Sequence, residues 1–222
     1  MTTAPAFWNE ATAALSERDA VLRQVIARFP GLTLAPRVDP FVALARSIVG
    51  QQLSVRAAQT IWDRVVTRLD GISPERVLRV RRTSLRACGL SGPKADYLKD
   101  LARKFADGDL DTNSWRALED EALIMEMTRV KGIGRWTAEM FLMFHLVRPD
   151  VLPLADIGLQ RAMRLNYNGG RSLTIARMRR LGAAWAPWRS VATWYLWRSL
   201  EAVPVGSAKS VSGRTSQMKR PR

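Results

Sequence analysis

Cysteine is nearly absent. Cys88 stands alone among the 222 residues, so the chain forms no intrachain disulfide and lacks the thiolates that an iron–sulfur cluster needs. Histidine is as scarce. His145 is the only one, and no grouping of ligand residues along the sequence suits a catalytic metal. It falls at helical spacing from Phe141 and Phe144 and reads as a helix residue, not a ligand. No run approaches the roughly 18 apolar residues of a membrane span. The opening MTTAPAFWNEATAAL has no basic stretch followed by an apolar one, so no secretory signal is expected. Segments of period-two alternation are almost missing, which argues against a fold built on sheets. Acids are in deficit too: 20 Asp and Glu face 35 Lys and Arg, for a net charge of +15. That balance attracts polyanions, nucleic acid foremost, although an Arg-rich composition by itself also makes a basic surface. A reducing compartment fits these features, cytoplasmic in a bacterium or nuclear in a eukaryote.

What is present is helix. Val21, Leu22, Val25, Ile26 and Phe29 recur at 3.6-residue spacing until Pro30-Gly31 stops them. Phe41, Leu44, Ala45, Ile48 and Val49 form a second stripe, and Ala58, Ile61, Trp62, Val65 and Leu69 a third. Ser73-Pro74-Glu75 opens a short helix with proline at its first position. Further helices are predicted over 94–105, 121–129, 135–147, 157–166, 172–184 and 188–201, with Ser114 capping a segment of its own. The fold class is therefore all-α. Residues 203–222 change character, with no acid and five basic residues (Lys209, Arg214, Lys219, Arg220, Arg222), and read as a disordered basic tail.

Three features carry chemistry. Between two amphipathic helices lies Val130-Lys131-Gly132-Ile133-Gly134. Its glycines permit positive φ and expose amides beside a helix N-terminus, an arrangement suited to phosphate, and Lys131 and Arg135 add positive charge. The same spacing also makes a plain tight turn. About twenty residues on, Asp156 precedes a helix. Asp there is the usual N-cap, but a carboxylate so fixed could also stabilise positive charge developing on the sugar of an extruded nucleotide. The third feature is eight tryptophans. Most such residues belong to cores, yet Trp136 and Trp197 could stack on a flipped base, and a cationic alkylated purine would gain about 0.5–2 kcal/mol more from cation–π contact. Glu139, one turn beyond Arg135, is expected to pair with it on the helix surface. Arg79, Arg81 and Arg82 read equally as a solvated face or as phosphate contacts.

Together the motifs resemble a family. The stretches VKGIGRWTAEMF at 130–141 and DVLPLADIGLQRA at 150–162 are similar to the hairpin and Gly/Pro…Asp signature of the helix–hairpin–helix DNA glycosylases. Within that superfamily the resemblance is to the 3-methyladenine DNA glycosylase II branch, in a compact form without the extra N-terminal domain. SIVGQQLS at 47–54, GLSGPKA at 89–95 and WAPWRS at 185–190 match further family segments in the same order. The resemblance implies one glycosylase domain over 1–202, with a central helical subdomain at about 41–145. A second subdomain, from the N-terminal helix plus about 146–202, would close an active-site cleft against it. It implies Asp156 as the catalytic carboxylate and Trp136, Trp197 and Met140 as substrate-pocket residues, Met140 replacing an aromatic. Gln52 or Leu53 would fill the space left by the flipped base. Lys131, Gly132, Gly134 and Arg135 would clamp the DNA backbone, and the carbonyls of Thr128, Val130 and Ile133 would hold a monovalent cation, Na+ or K+. No other cofactor is expected, and the partner is double-stranded DNA carrying alkylated bases such as 3-methyladenine or 7-methylguanine, bound by a monomer. Bifunctional members carry a lysine where this chain has Trp136, so hydrolysis to an abasic site without strand cleavage is implied. A glycosylase/lyase and a noncatalytic DNA-docking module are the competing readings.

Overall fold

The computed structural model describes residues 4–34 and 39–201. The expected basic tail lies outside the described residues. Twelve helices and no strand are found among those described. The chain begins with α1 (Trp8–Arg18) and α2 (Ala20–Ala27), joined at Asp19, whose Oδ1 accepts the amides of Val21 and Leu22 at 2.9 and 3.0 Å. Seven helices follow: α3 (Pro40–Gly50), α4 (Val55–Leu69), α5 (Pro74–Arg79), α6 (Arg82–Ala87), α7 (Gly92–Ala106), α8 (Asp120–Thr128) and α9 (Arg135–Phe144). The chain returns through α10 (Ile157–Asn168), α11 (Ile175–Ala183) and α12 (Arg189–Glu201). Most starts are chemically marked. Asp39, Ser54, Ser73, Ser91, Asp156 and Thr174 each accept an amide of the first turn through the side chain, which satisfies a donor that the helix itself cannot.

The apolar stripes meet in two separate cores. One gathers α3 to α9 around Leu44, Ile48, Leu98, Trp115, Leu123 and Leu142. The other gathers α1, α2 and α10 to α12 around Leu15, Leu22, Leu159, Met163, Trp185 and Leu196. Each large apolar side chain taken out of water contributes about 1.5–3 kcal/mol, so each half has its own driving force. Phe144 and Trp197 pack against both cores. Their rings stack at 5.7 Å and 14° and stand where the two halves meet.

The structure departs from the sequence expectations in places. The first helix, α1, carries a buried edge of Trp8, Ala11 and Leu15 that its alanine-rich sequence does not advertise. Ser114 caps no helix. Its hydroxyl donates to the carbonyl of Asp111 at 2.8 Å, and residues 112–118 run as turns. The carbonyls that this irregular stretch leaves unpaired are collected by Arg148, whose guanidinium donates to Trp115 and Leu118 at 2.9 and 2.8 Å. Helix α9 stops at Phe144, short of the expected 147, and Val147 takes a positive φ of 56° as the chain turns toward the second core.

Candidate active site

Asp156 sits at the junction of the halves. As N-cap of α10, its Oδ1 accepts the amide of Leu159 at 2.6 Å. The same oxygen accepts the indole N–H of Trp197 from α12 at 2.8 Å, and Oδ2 accepts the indole N–H of Trp136 from the first turn of α9 at 2.9 Å. Three elements therefore fix one carboxylate. A carboxylate offers about four lone-pair positions, and Oδ2 receives one of the three donors named here, so it keeps capacity for an external partner. Gly158 permits the approach. A Cβ there would lie 3.0 Å from Asp156 Oδ1 and 3.2 Å from Trp197 Nε1. Trp136 is 44% exposed despite its bonded nitrogen, which leaves ring surface open to solvent.

A cavity of about 190 Å³ lies between α3 and α9, walled by Leu44, Ser47, Thr137, Met140, Phe144 and His145; Asp156 and its two indoles are not among its lining residues. Phe144 joins it to the tryptophan pair through its stack on Trp197. His145 is the C-cap of α9, and its ring stacks on Phe141 at 4.4 Å. Its Nδ1 is buried without a partner among the described residues, and burial lowers its pKa, favouring the neutral ring. No group of three or more His, Cys, Asp and Glu that could hold a metal ion occurs among the described residues.

The hairpin lies at the other end of the same helix. Gly132 has φ +81°, and a Cβ added there would come 2.1 Å from Cδ2 of Tyr97. Only glycine fits this position, for both conformational and steric reasons. Helix α9 starts at Gly134 without a side-chain cap. The amides of Gly132 and Gly134 have no acceptor within the described residues, whereas that of Lys131 donates to Asp100 Oδ2 at 2.9 Å. The carbonyl of Val130 accepts the amide of Ile133 at 3.1 Å, and those of Thr128 and Ile133 accept no backbone amide among the described residues.

A family model described as the HhH-GPD superfamily base excision DNA repair protein matches residues 45–187. The chain belongs to the HhH-GPD superfamily. DNA-3-methyladenine glycosylase 1 of Schizosaccharomyces pombe is 34% identical over 165 residues, covering 72% of each chain. The crystal structure of a DNA-3-methyladenine glycosidase from Bacillus halodurans superposes with a TM-score of 0.81 at 36% identity, over 86% of this chain and 89% of that one. The 3-methyladenine DNA glycosylase Mag1 of Schizosaccharomyces pombe, solved with abasic DNA, gives 0.74 at 30% identity, over 86% and 97%. The chain spans about two thirds of the length of several curated relatives it matches.

In this HhH-GPD chain the signature segments hold one another. Arg189 of the WAPWRS stretch donates to both oxygens of Asp150 at 2.7 and 2.8 Å, and the Ser190 hydroxyl accepts the amide of Val151 at 2.9 Å. The strap that delivers Asp156 is thus tied down at its start. Met140 lines the cavity as a wall residue. Gln52 has a positive φ of 56°, and Leu53 and Val55 beside it are exposed, Val55 at 89%.

Other expectations need correction. Arg135 is ion-paired on both sides while its side chain stays 56% exposed. Glu121 grips its guanidinium through two contacts, and its Nε donates to Glu139 at 3.0 Å, holding the arginine in its charged form. Glu139 is not on the surface. It is 5% exposed, Oε2 has no partner among the described residues, and burial raises its pKa. Arg82 makes a two-point pair with Asp96 on the surface, with half of its side chain exposed. Gln51, not singled out from sequence, donates from Nε2 to the carbonyl of Gly132 at 2.7 Å. Among the described residues no helix is long and apolar enough to cross a membrane.

Proposed function

We propose that the chain removes alkylated bases from duplex DNA as a monofunctional N-glycosidic hydrolase, with Asp156 as the catalytic carboxylate. The observation that carries this reading is the carboxylate held by the indoles of Trp136 and Trp197 at 2.9 and 2.8 Å, where the two cores meet. The fixed pose points a charge without needing to reorganise during reaction. The family and the relative solved with abasic DNA support DNA as the substrate.

The sequence of events follows from these positions. The open amides at Gly132, Gly134 and the start of α9, with Lys131 beside them, take phosphate oxygens of the duplex. Gln52 and Leu53 occupy the gap as the damaged nucleotide rotates out. The base stacks on the exposed face of Trp136, with the cavity walled by Met140 and Phe144 on the following turns of the same helix. Cationic bases such as 3-methyladenine or 7-methylguanine leave as neutral molecules, so no strong acid is required. As the bond to C1′ breaks, the sugar gains positive charge, and Asp156 Oδ2 stabilises it and orients the attacking water. A Schiff base would need a primary amine at C1′. Position 136, in contact with Asp156, carries an indole, which favours hydrolysis over strand cleavage. The carbonyls of Thr128, Val130 and Ile133 are hard oxygen donors without a full set of partners, and they would hold a monovalent cation that stiffens the turn. A monomer suffices, since every group named comes from one chain.

Chromatography of bases released from methylated duplex DNA tests the reading. The wild-type protein should release 3-methyladenine or 7-methylguanine and leave abasic sites, and borohydride should trap no covalent adduct. Asp156→Asn should bind duplex normally and release nothing. A trapped adduct would replace hydrolysis by lyase chemistry. A wild-type protein that binds but releases no base would reduce the molecule to a DNA-docking module.

A further inference from the structure

Lys94 lies in the first turn of α7, the wrong place for a cation by the helix dipole, and that turn has no acid to balance it. Its ammonium reaches away from its own helix. Nζ donates to the carbonyls of Val49 and Gln51 at 2.8 and 2.6 Å. These are at the C-terminal end of α3, where the dipole favours a cation and where orphan carbonyls need donors. A residue that breaks a rule in its own helix while satisfying the end of another marks a constraint from outside. Burial lowers its pKa, and the two carbonyls compensate the partly dehydrated charge.

What α3 ends in is the Gln51–Ser54 turn, with Gln52 in a left-handed conformation that is costly for a residue with a side chain. The turn is held from the far side as well, by the Gln51 side chain on the carbonyl of Gly132 at 2.7 Å. Two further residues of α7 complete the link. The ring of Tyr97 lies flush under Gly132, and Asp100 accepts the amide of Lys131 at 2.9 Å. Positions 94, 97 and 100, spaced by three along one helix, thus touch the 51–54 turn, the hairpin apex and the hairpin amide in order.

We propose that Lys94 is a positioning residue that locks the Gln52–Leu53 turn to the hairpin, so that backbone gripping and insertion into the duplex act as one rigid unit. The proposal rests on the functional reading above, in which this turn enters the DNA. Lys94 itself touches neither base nor sugar.

The test compares affinity for a duplex holding a stable abasic-site analogue, which needs insertion, with affinity for the intact duplex, which needs only the hairpin and the basic surface. Lys94→Met should lower the preference for the abasic duplex about tenfold, with intact-duplex affinity and melting temperature nearly unchanged. A 2-aminopurine placed beside the abasic site should lose the fluorescence rise that unstacking gives in the wild type. Lys94→Arg, which keeps donors and charge, should restore most of the preference. Gln51→Ala cuts the same link from the other end and should match Lys94→Met. The double variant should lose little more than either single one, the mark of a shared pathway. An unchanged preference in both single variants overturns the proposal. So does a parallel fall of both affinities with melting temperature, which is the pattern of a merely structural lysine. Base release by the wild type tests the glycosylase reading separately, and the binding ratio tests the brace whether or not base is released.

Discussion

Helices α9 and α10 begin within about two dozen residues of each other and handle the same electrostatic problem in opposite ways. The N-terminus of α9 starts at Gly134 with no side-chain cap, follows a glycine turn, and leaves amides pointing outward. The N-terminus of α10 is closed by the carboxylate of Asp156. An open positive helix end takes an anion from outside, and a closed one already contains its own. The two ends therefore suit different partners. Phosphate fits the end of α9, and at α10 a negative charge is reserved for a positive centre. The Trp136 indole, on α9 but bonded to Asp156, ties the two ends together.

The comparison can be broken most severely at its closed end. Asp156→Asn and Asp156→Ala should each lower single-turnover base release by about 100-fold or more. Asn still caps, so the melting temperature of that variant should hold, while Ala should cost about 0.5–2 kcal/mol of stability on denaturant unfolding. Equal stability in the two would mean that the cap contributes nothing. At the open end, Gly132→Ala meets both a positive φ and the Tyr97 ring. A loss of about 2–3 kcal/mol is expected, with weakened affinity for undamaged duplex in a filter or anisotropy assay. The bridge between them is probed by Trp136→Phe, which keeps a ring and removes the donor. Base release should drop about tenfold, with duplex affinity unchanged.

The smallest effect sharpens the picture of α9 itself. Burial raises the pKa of Glu139 against the opposing pull of Arg135, so folding favours its protonated form relative to the unfolded chain. Its contribution to stability is therefore present at acid pH and is lost as pH rises through the raised native value. Glu139→Gln has no such titration. As pH rises above about 4.3, the ordinary glutamate value, the melting temperature of the variant should gain on that of the wild type, and two parallel curves would contradict the assignment.

Much of this is legible in the residues alone, and the limits are physical. The stripes of α3 and α4, the glycine hairpin and the capping Asp156 are all local, governed by spacing within one or two turns, and local rules find them. Contacts made at long range escape those rules. Nothing in the sequence near Gln51 points to a carbonyl 81 positions away. The same holds for the indoles. Sequence presents Trp136 and Trp197 as stacking surfaces, while the structure shows their N–H groups orienting the carboxylate, a geometry that depends on three helices meeting. Glu139 looks like a surface residue because its i,i+4 pairing with Arg135 is a common solvent-facing motif. Its burial depends on tertiary packing, with residues of α8 and of the 149–155 segment lining the same cleft, which helical periodicity does not reveal. The turn at 112–118 stays irregular because distant groups hold it, the guanidinium of Arg148 on its carbonyls and Glu126 on the indole of the buried Trp115.

The ring pair at the junction has one more consequence. Trp197 is stacked on Phe144 and bonded to Asp156 at the same time, so spreading the two halves apart would strip the carboxylate of a donor in the same movement that unstacks the rings. On the proposed reading, shape and reactivity are geared together: the acidic group is fully aimed only while the two ring systems stay shut on each other.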